Sequence, residues 1–128
     1  MTPKGNNAEN LEEFLSVIGF TQYETKVFLT LVKFGQLDAK SLAARSGVPQ
    51  PKIYSTTDSL ESKGYVIVAQ DANKKVYKIR PKHKIKQKIT SYFKSLDEKK
   101  DDLLDYMENS YMTSGFDEFH PFYGIATR

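Results

Sequence analysis

The segment from residue 46 to residue 68, SGVPQPKIYSTTDSLESKGYVIV, predicts a helix with a polar outer face. The helix begins at about Pro51, a favoured first-turn residue, and ends at Lys63 because Gly64 follows it. Since helical residues advance by roughly 100° each, the inner face is predicted to consist of Ile53, Tyr54, Thr57 and Leu60. The outer face is predicted to offer hydrogen-bond donors and acceptors from Gln50, Lys52, Ser55, Thr56 and Ser59.

These side chains are not arranged for catalysis. The chain contains no cysteine, no glycine-rich phosphate loop and no histidine beside a candidate nucleophile. Its two histidines, His83 and His120, are too few for a transition-metal site, and the acids between residues 97 and 105 are spread around a predicted helix. We therefore predict that the chain is not an enzyme and requires neither a metal nor a cofactor.

Basic charge is concentrated in one part of the chain. Residues 1–71 carry 7 basic and 8 acidic side chains, residues 72–96 carry nine basic side chains and no acid, and residues 97–128 carry 8 acids and 3 bases. Such a basic block is typical of a surface that faces a polyanion, although a solvated lysine face is the simpler alternative.

Four helices are predicted before residue 64. The first follows Glu9, and the second begins at a capping box formed by Thr21 and Glu24. Its apolar stripe is predicted to comprise Tyr23, Val27, Phe28, Leu31, Val32 and Phe34. The third helix has Asp38 as its N-cap and Leu42, Ala43 and Ala39 facing inward. The turn VPQP then leads to the polar-faced helix.

A β-hairpin and a long helix are predicted after Gly64. The runs YVIVAQ and KVYKIR are separated by the turn sequence DANK, and Pro81 ends the second run. From residue 82 to about residue 110 the apolar residues recur with alternating steps of four and three, interrupted once by Lys99. This pattern predicts a seam that needs a partner, and its residues are Ile85, Ile89, Tyr92, Leu96, Leu103 and Tyr106. The predicted partner is the same helix of a second subunit, which makes the seam a dimer interface; the alternative partner is the helical domain of the same chain.

The chain length predicts one folded domain with an appended helix. We predict a flexible N-terminus (1–8), a winged helix-turn-helix domain (9–81), a coiled-coil-like dimerisation helix (82–110) and an aromatic-rich tail (111–128). The tail is expected to dock on a subunit, with a disordered or partner-binding role as the alternative. No signal peptide or spanning segment is evident, so a cytoplasmic, nucleoid-associated location without membrane contact is expected.

The order of these elements predicts a mainly α fold with a small β-hairpin wing, in which a helix-turn-helix is followed by a long helix. Such a unit binds double-stranded DNA through the outer face of its second motif helix, and carboxylates are disfavoured there because phosphate repels them. The wing and its flank are predicted to contact DNA through Asn73, Lys74, Lys75 and Lys78. The first motif helix is predicted to contact the DNA backbone through Lys40 and Arg45.

Three sequence blocks carry a resemblance to a known family. The blocks GFTQYETKVFLTLVKFG, LDAKSLAARSGVP and KIYSTTDSLESKGYV, within residues 11–81, resemble the DNA-binding domain of the TrmB-like archaeal transcriptional regulators. The resemblance implies a winged helix-turn-helix that binds promoter DNA as a homodimer. Gln50 and Pro51 depart from the arginine or small polar residue that family members often carry there. The 47 residues after the wing imply a short form without the family's sugar-binding domain.

The resulting hypothesis is a site-specific transcriptional regulator, a repressor, that binds an inverted repeat in promoter DNA as a homodimer. Two alternatives remain at this point. In the first alternative the chain is an architectural, nucleoid-associated protein with little sequence preference. In the second it is a winged-helix module that binds proteins of the transcription machinery. The sequence does not identify a small-molecule effector.

Overall fold

The computed structural model describes residues 7–114, with the side chains of residues 10–110. The elements follow in the order α1 (Asn7–Val17), α2 (Gln22–Phe34), β1 (Gln36–Asp38), α3 (Ala39–Ser46), α4 (Gln50–Lys63), β2 (Val66–Asp71), β3 (Lys74–Ile79) and α5 (Lys82–Ser114). The helix-turn-helix consists of α3 and α4, and the wing consists of β2 and β3. The predicted fold class is therefore confirmed.

The helical core is organised by α2, whose start is the predicted capping box. The Thr21 hydroxyl accepts from the Glu24 N–H at 3.1 Å, and the Glu24 carboxylate accepts from the Thr21 N–H at 2.8 Å. Val27 and Leu31 on α2 are completely buried. Their burial removes two branched apolar side chains from water and stabilises the packing of α2 on α3 and α4.

An aromatic cluster closes one side of this core. Phe20, Phe28 and Tyr65 pack edge to face, with ring centroids 4.8–5.8 Å apart. This geometry is favoured because the positive ring edge meets the negative ring face. The cluster joins the α1–α2 turn and α2 to the residue that precedes β2.

The sheet has three antiparallel strands, whereas the sequence predicted only the hairpin. The strand order is β1-β3-β2, with Leu37 opposite Tyr77 and Val68 on the other side of Tyr77. Tyr77 is buried because it lies on the central strand. The strand β1 was missed because its three residues are too few to show a β pattern.

The predicted apolar stripe of α2 is only partly buried. Val27, Phe28 and Leu31 lie in the core, but Val32 and Phe34 are 55% and 45% exposed. Val32 contributes to an apolar groove with Phe28, Ile79, Ile85 and Ile89. The stripe is only partly buried because it is wider than the face that α3 and α4 cover.

The helix α5 runs through the boundary between two compact units, Met1–Thr90 and Ser91–Arg128. The first unit holds the winged helix and the first turns of α5. The described part of the second unit is helical to Ser114. The aromatic tail lies largely outside the described residues, so its predicted docking is not addressed by the structure.

Candidate nucleic-acid interface

The candidate reading surface is the N-terminal half of α4. Pro51 lies in the first turn, and the helix ends at Gly64, whose φ of 91° is in the left-handed region that glycine tolerates. Gln50, Lys52 and Ser55 are exposed, as predicted. The two acids of α4, Asp58 and Glu61, are also exposed but lie in its C-terminal half. The N-terminal half is therefore polar and free of carboxylates.

The burial of Tyr54 and Thr56 on α4 is the reverse of the predicted one. Thr56, which was predicted on the outer face, is 7% exposed, and its hydroxyl donates to the Lys52 carbonyl at 2.6 Å. Tyr54, which was predicted on the inner face, is 48% exposed. The buried side is centred on Ile53 and Leu60, so at roughly 100° per residue Thr56 falls inside its edge and Tyr54 outside. Tyr54 is therefore a surface residue that the sequence pattern did not indicate.

Ser59, another predicted reading residue, is half-buried and hydrogen-bonded inside the protein. Its hydroxyl donates to the second carboxylate oxygen of Glu24, a residue of α2. Lys63 Nζ donates to Glu24 Oε1 at 2.7 Å and to the Gly19 carbonyl at 3.0 Å. Ser59 therefore contributes to the attachment of α4 to α2, which fixes the orientation of the outer face.

The carboxylate of Glu24 is buried, with 4% of its side chain exposed, and it stays charged because it accepts hydrogen bonds from three donors. Burial by itself raises the pKa of this group, but the hydrogen bonds from Lys63, Ser59 and Thr21 outweigh it and lower the pKa below the ordinary 4.5. Such a paired charge stabilises the native arrangement only while both partners are present.

The wing ends in a two-residue turn, Ala72-Asn73, in which Ala72 has a φ of 57°. Asn73, Lys74 and Lys75, which were predicted to contact DNA, are exposed around this turn. Lys78 lies farther along β3, opposite Gln36 and Ile67, and is half-buried. The three tip residues therefore form one basic, polar surface, and Lys78 lies outside it.

Lys74 also connects the wing to the helix-turn-helix. Its Nζ lies 3.0 Å from Asp38 Oδ2, while Asp38 Oδ1 accepts from the Ser41 N–H at 2.9 Å and caps α3 as predicted. The hydrogen bond from the Ser41 N–H, followed by that from Lys74, lowers the pKa of Asp38 from 3.8 to about 2. Asp38 is thus ionised at neutral pH and holds the wing lysine beside α3.

The two predicted backbone contacts on α3 differ in their surroundings. Lys40 is exposed at the start of α3. The Arg45 guanidinium, in the last turn, lies 4.5 Å from the ring centroid of Phe34, a cation–π contact with α2. The structure therefore associates Arg45 with the end of α2, whereas Lys40 is free to meet solvent.

The residues of the predicted seam are incompletely covered by their own chain. Ile85, Ile89 and Tyr92 are half-buried, and Leu96, Leu103 and Tyr106 are 40%, 56% and 69% exposed. Within residues 7–114, no cluster of histidine and carboxylate side chains could hold a metal ion. No helix in that range is long and apolar enough to cross a membrane.

The family model "Sugar-specific transcriptional regulator TrmB" matches residues 15–83, more than half of the 128-residue chain. The chain belongs to the TrmB family. The matched range contains the capping box, the helix-turn-helix and the wing. This assignment agrees with the prediction that the chain is not an enzyme, since the family is described as one of transcriptional regulators.

Two curated relatives share this region. The uncharacterised protein YrhO of Bacillus subtilis is 34% identical over 80 residues, which are 62% of this chain and 29% of YrhO. The DNA-binding HTH-type transcriptional repressor TrmBL2 of Thermococcus kodakarensis is 43% identical over 61 residues, which are 48% of this chain and 22% of the repressor. The chain thus spans less than a third of the length of these relatives.

The solved structure of TrmBL2, described as an archaeal chromatin protein with a novel mode of DNA binding, is similar over a longer range. It superposes with a TM-score of 0.68 and 25% identity, covering 93% of this chain and 46% of that one. A MarR-family regulator from Silicibacter pomeroyi has a TM-score of 0.52 at 15% identity over 85% of this chain and 82% of its own, which shows the shared winged-helix fold.

Proposed function

We propose that this protein is a transcriptional regulator that binds double-stranded DNA site-specifically as a homodimer and represses by occluding promoter DNA. The observation that carries the proposal is the placement of an exposed, carboxylate-free half-helix, with Gln50, Lys52 and Ser55, within a winged helix of the TrmB family. A reading helix needs this combination, because it must present hydrogen-bonding groups to base edges without repelling phosphate.

The proposed reading set differs from the predicted one. Gln50, Lys52 and Ser55 remain in it, and Tyr54 joins them because it is 48% exposed on the same half of α4. Thr56 and Ser59 are left out because Thr56 is buried and Ser59 is half-buried with its hydroxyl donating to Glu24. Ser55 stays in the set because it is exposed, although its hydroxyl also donates to the Lys52 carbonyl, at 3.3 Å. Thr56 and Ser59 are instead assigned to fixing the shape and the attachment of α4.

The wing tip is proposed to supply sequence-independent affinity. Asn73, Lys74 and Lys75 are exposed on a two-residue turn and carry two positive charges. Lysine contacts to phosphate release counterions, so they strengthen binding to any duplex and make it salt-dependent. Lys40 on α3 is proposed to add a further phosphate contact. Lys78 and Arg45 are secondary candidates because Lys78 is half-buried and the Arg45 guanidinium contacts the Phe34 ring.

The homodimer and the inverted repeat are part of the proposal. The exposed seam residues Leu96, Leu103 and Tyr106 lie on one stripe of α5 and need a covering partner. A two-fold dimer presents two identical reading helices, so it matches a site with the same symmetry, with half-sites about one DNA turn, roughly 34 Å, or a multiple of it apart. Repression is supported by the name of the T. kodakarensis relative.

A second candidate function is favoured by one observation. The TrmBL2 structure that covers 93% of this chain is that of a chromatin protein, so we also propose an architectural role in which DNA is coated with little sequence preference. In that case the wing lysines carry most of the binding and the α4 residues contribute little discrimination.

Fluorescence anisotropy with two 30-base-pair duplexes of unrelated sequence tests DNA binding itself. We expect binding whose affinity falls steeply as salt is raised, and a shallower salt slope for the double variant Lys74→Ala/Lys75→Ala. The variant Lys26→Ala/Lys33→Ala, which removes the same charge from exposed positions of α2 away from the wing and the seam, serves as the matched control. Absence of measurable binding at about 100 mM salt would refute both proposed functions.

A further inference from the structure

The charge on α5 is polarised along the helix. Residues 82–96, the basic half, carry five lysines and no acid, whereas residues 97–110, the acidic half, carry six acids and two lysines, a net charge of −4. The lysines of the basic half are exposed, and none of them forms an ion pair within the described chain. The acids of the acidic half are equally exposed.

This distribution is unfavourable for an isolated helix. The N-terminus of a helix carries a partial positive charge, yet the first turn of α5 has no acid and begins with Lys82, His83 and Lys84. Lysines four residues apart repel each other, as in the pairs Lys82/Lys86 and Lys84/Lys88. A local sequence that violates both rules indicates that a negative partner compensates the basic half.

We propose that α5 pairs with α5 of a second copy in antiparallel orientation, so that the basic half of each helix lies along the acidic half of the other. The inference rests on the homodimer proposed above and adds its orientation. In a parallel pair, five lysines would lie beside five lysines and the acids beside acids. In an antiparallel pair the opposite charges meet, and the two helix dipoles also oppose each other favourably.

The apolar seam supports the same orientation. The register follows from placing the centre of the basic half of one helix beside the centre of the acidic half of the other. In this register Ile85 faces Leu103 of the other copy and Tyr92 faces Leu96, so apolar layers form in symmetric pairs. Lys88 then flanks the seam opposite Asp102. The interruption at Lys99 lies opposite Ile89, whose side chain is half-buried in its own chain and needs less cover.

One unfavourable contact in this register is moderated within each helix. Lys86 and Lys100 would approach across the seam, but Lys100 Nζ already lies 2.8 Å from Asp97 and 3.8 Å from Asp101. Asp97, which has the larger effect, and Asp101 both raise the pKa of Lys100 and partly offset its charge. Lys86 therefore approaches a lysine that is already paired with two carboxylates of its own helix.

Cysteine cross-linking tests the orientation, because the chain has no cysteine of its own. The variants Ile85→Cys and Leu103→Cys are oxidised separately and as a mixture, after light scattering has established the mass of each. In the antiparallel pair the two copies of residue 85 are about 27 Å apart, so neither variant cross-links with itself. The mixture is expected to give a disulfide-linked dimer, with Leu104→Cys as the off-seam control for random oxidation.

Three other outcomes would overturn the inference. Self-linked dimers of each single variant would show a parallel pair, while a dimeric mass without specific cross-links would show a dimer that uses another surface; both leave the homodimer intact. A monomeric mass at all concentrations would refute the homodimer as well.

As an independent readout, the dimer dissociation constant is expected to increase severalfold between about 50 and 500 mM salt, because salt screens attraction between the halves. A dissociation constant that decreases with salt would contradict the antiparallel orientation. The variant Lys82→Ala/Lys86→Ala gives a further test: if it loses DNA affinity while its mass stays unchanged, DNA is the partner of the basic half.

Discussion

Lys63 Nζ lies 2.7 Å from Glu24 Oε1 and thereby joins the last turn of α4 to the first turn of α2. The two residues are 39 positions apart in the chain, and the same carboxylate accepts from Ser59 and from the Thr21 N–H. A single buried carboxylate thus serves both the capping of α2 and the attachment of the proposed reading helix.

Replacing Glu24 by glutamine is expected to destabilise the protein by about 1–2 kcal/mol at pH 7, because it removes a buried charge-assisted hydrogen bond to the half-exposed Lys63. Glu61→Gln, an exposed change on α4, is the matched control and should have little effect. Thermal unfolding of the three proteins provides the comparison, and equal melting temperatures would contradict the role assigned to Glu24.

The same comparison has a definite pH dependence. The pKa of Glu24 is lowered in the folded state, so its stabilising effect is fully present above the unfolded value of 4.5 and is lost as the pH falls through the folded pKa. The stability difference between the native chain and Glu24→Gln should therefore shrink below pH 4.5. A difference that grows on acidification would indicate that Glu24 is protonated when folded.

Replacing Asp38 by asparagine is expected to strengthen DNA binding modestly. Asparagine still caps α3, but the change removes the negative charge that pairs with Lys74 at 3.0 Å and leaves that lysine free for phosphate. Asp58→Asn, which removes a charge elsewhere on the helix-turn-helix, controls for the gain in net charge. Anisotropy titrations that show weaker binding for Asp38→Asn than for Asp58→Asn would contradict the proposed wing contact.

Ser55→Ala and Thr56→Val form a matched pair on α4. Ser55 is exposed on the proposed reading face, so its replacement should change the preference among DNA sequences. Thr56 is buried, and valine has nearly the same shape, so that preference should persist even if stability changes. Binding to a panel of single-base variants of a selected site distinguishes the two, and identical profiles for all three proteins would remove Ser55 from the reading set.

Leu103→Glu and Leu104→Glu test the seam. The two leucines are adjacent and similarly exposed, at 56% and 52%, but only Leu103 lies on the seam. We expect Leu103→Glu to give monomers with weak DNA binding and Leu104→Glu to leave the dimer intact. Sedimentation velocity at several concentrations provides the masses, and equal effects of the two changes would contradict the seam. Combined replacement of Ile89 and Leu96 should also yield monomers.

The local features of the fold could be predicted because neighbouring residues determine them. Thr21 and Glu24 specify a capping box through their spacing alone, and Asp38 and Gly64 mark where helices begin and end. The 3–4 spacing likewise predicted a long helix with one apolar stripe where α5 lies.

Features that depend on tertiary packing could not be predicted in this way. The burial of Thr56 rather than Tyr54 follows from how α4 is rotated against α2 and α3, which one helix does not determine. The contacts of Glu24 with Lys63 and of Asp38 with Lys74 join residues that are distant in sequence. The strand β1 forms because β3 presents an open edge to a three-residue segment.

Selection of bound duplexes from a random-sequence pool at about 150 mM salt, with the mass of the complex determined, tests the central claim most directly. The proposed regulator predicts enrichment of one inverted repeat, bound by two copies of the chain. Strong binding without enrichment would contradict site-specific recognition and favour the architectural role, and no recovered duplex would contradict DNA binding altogether.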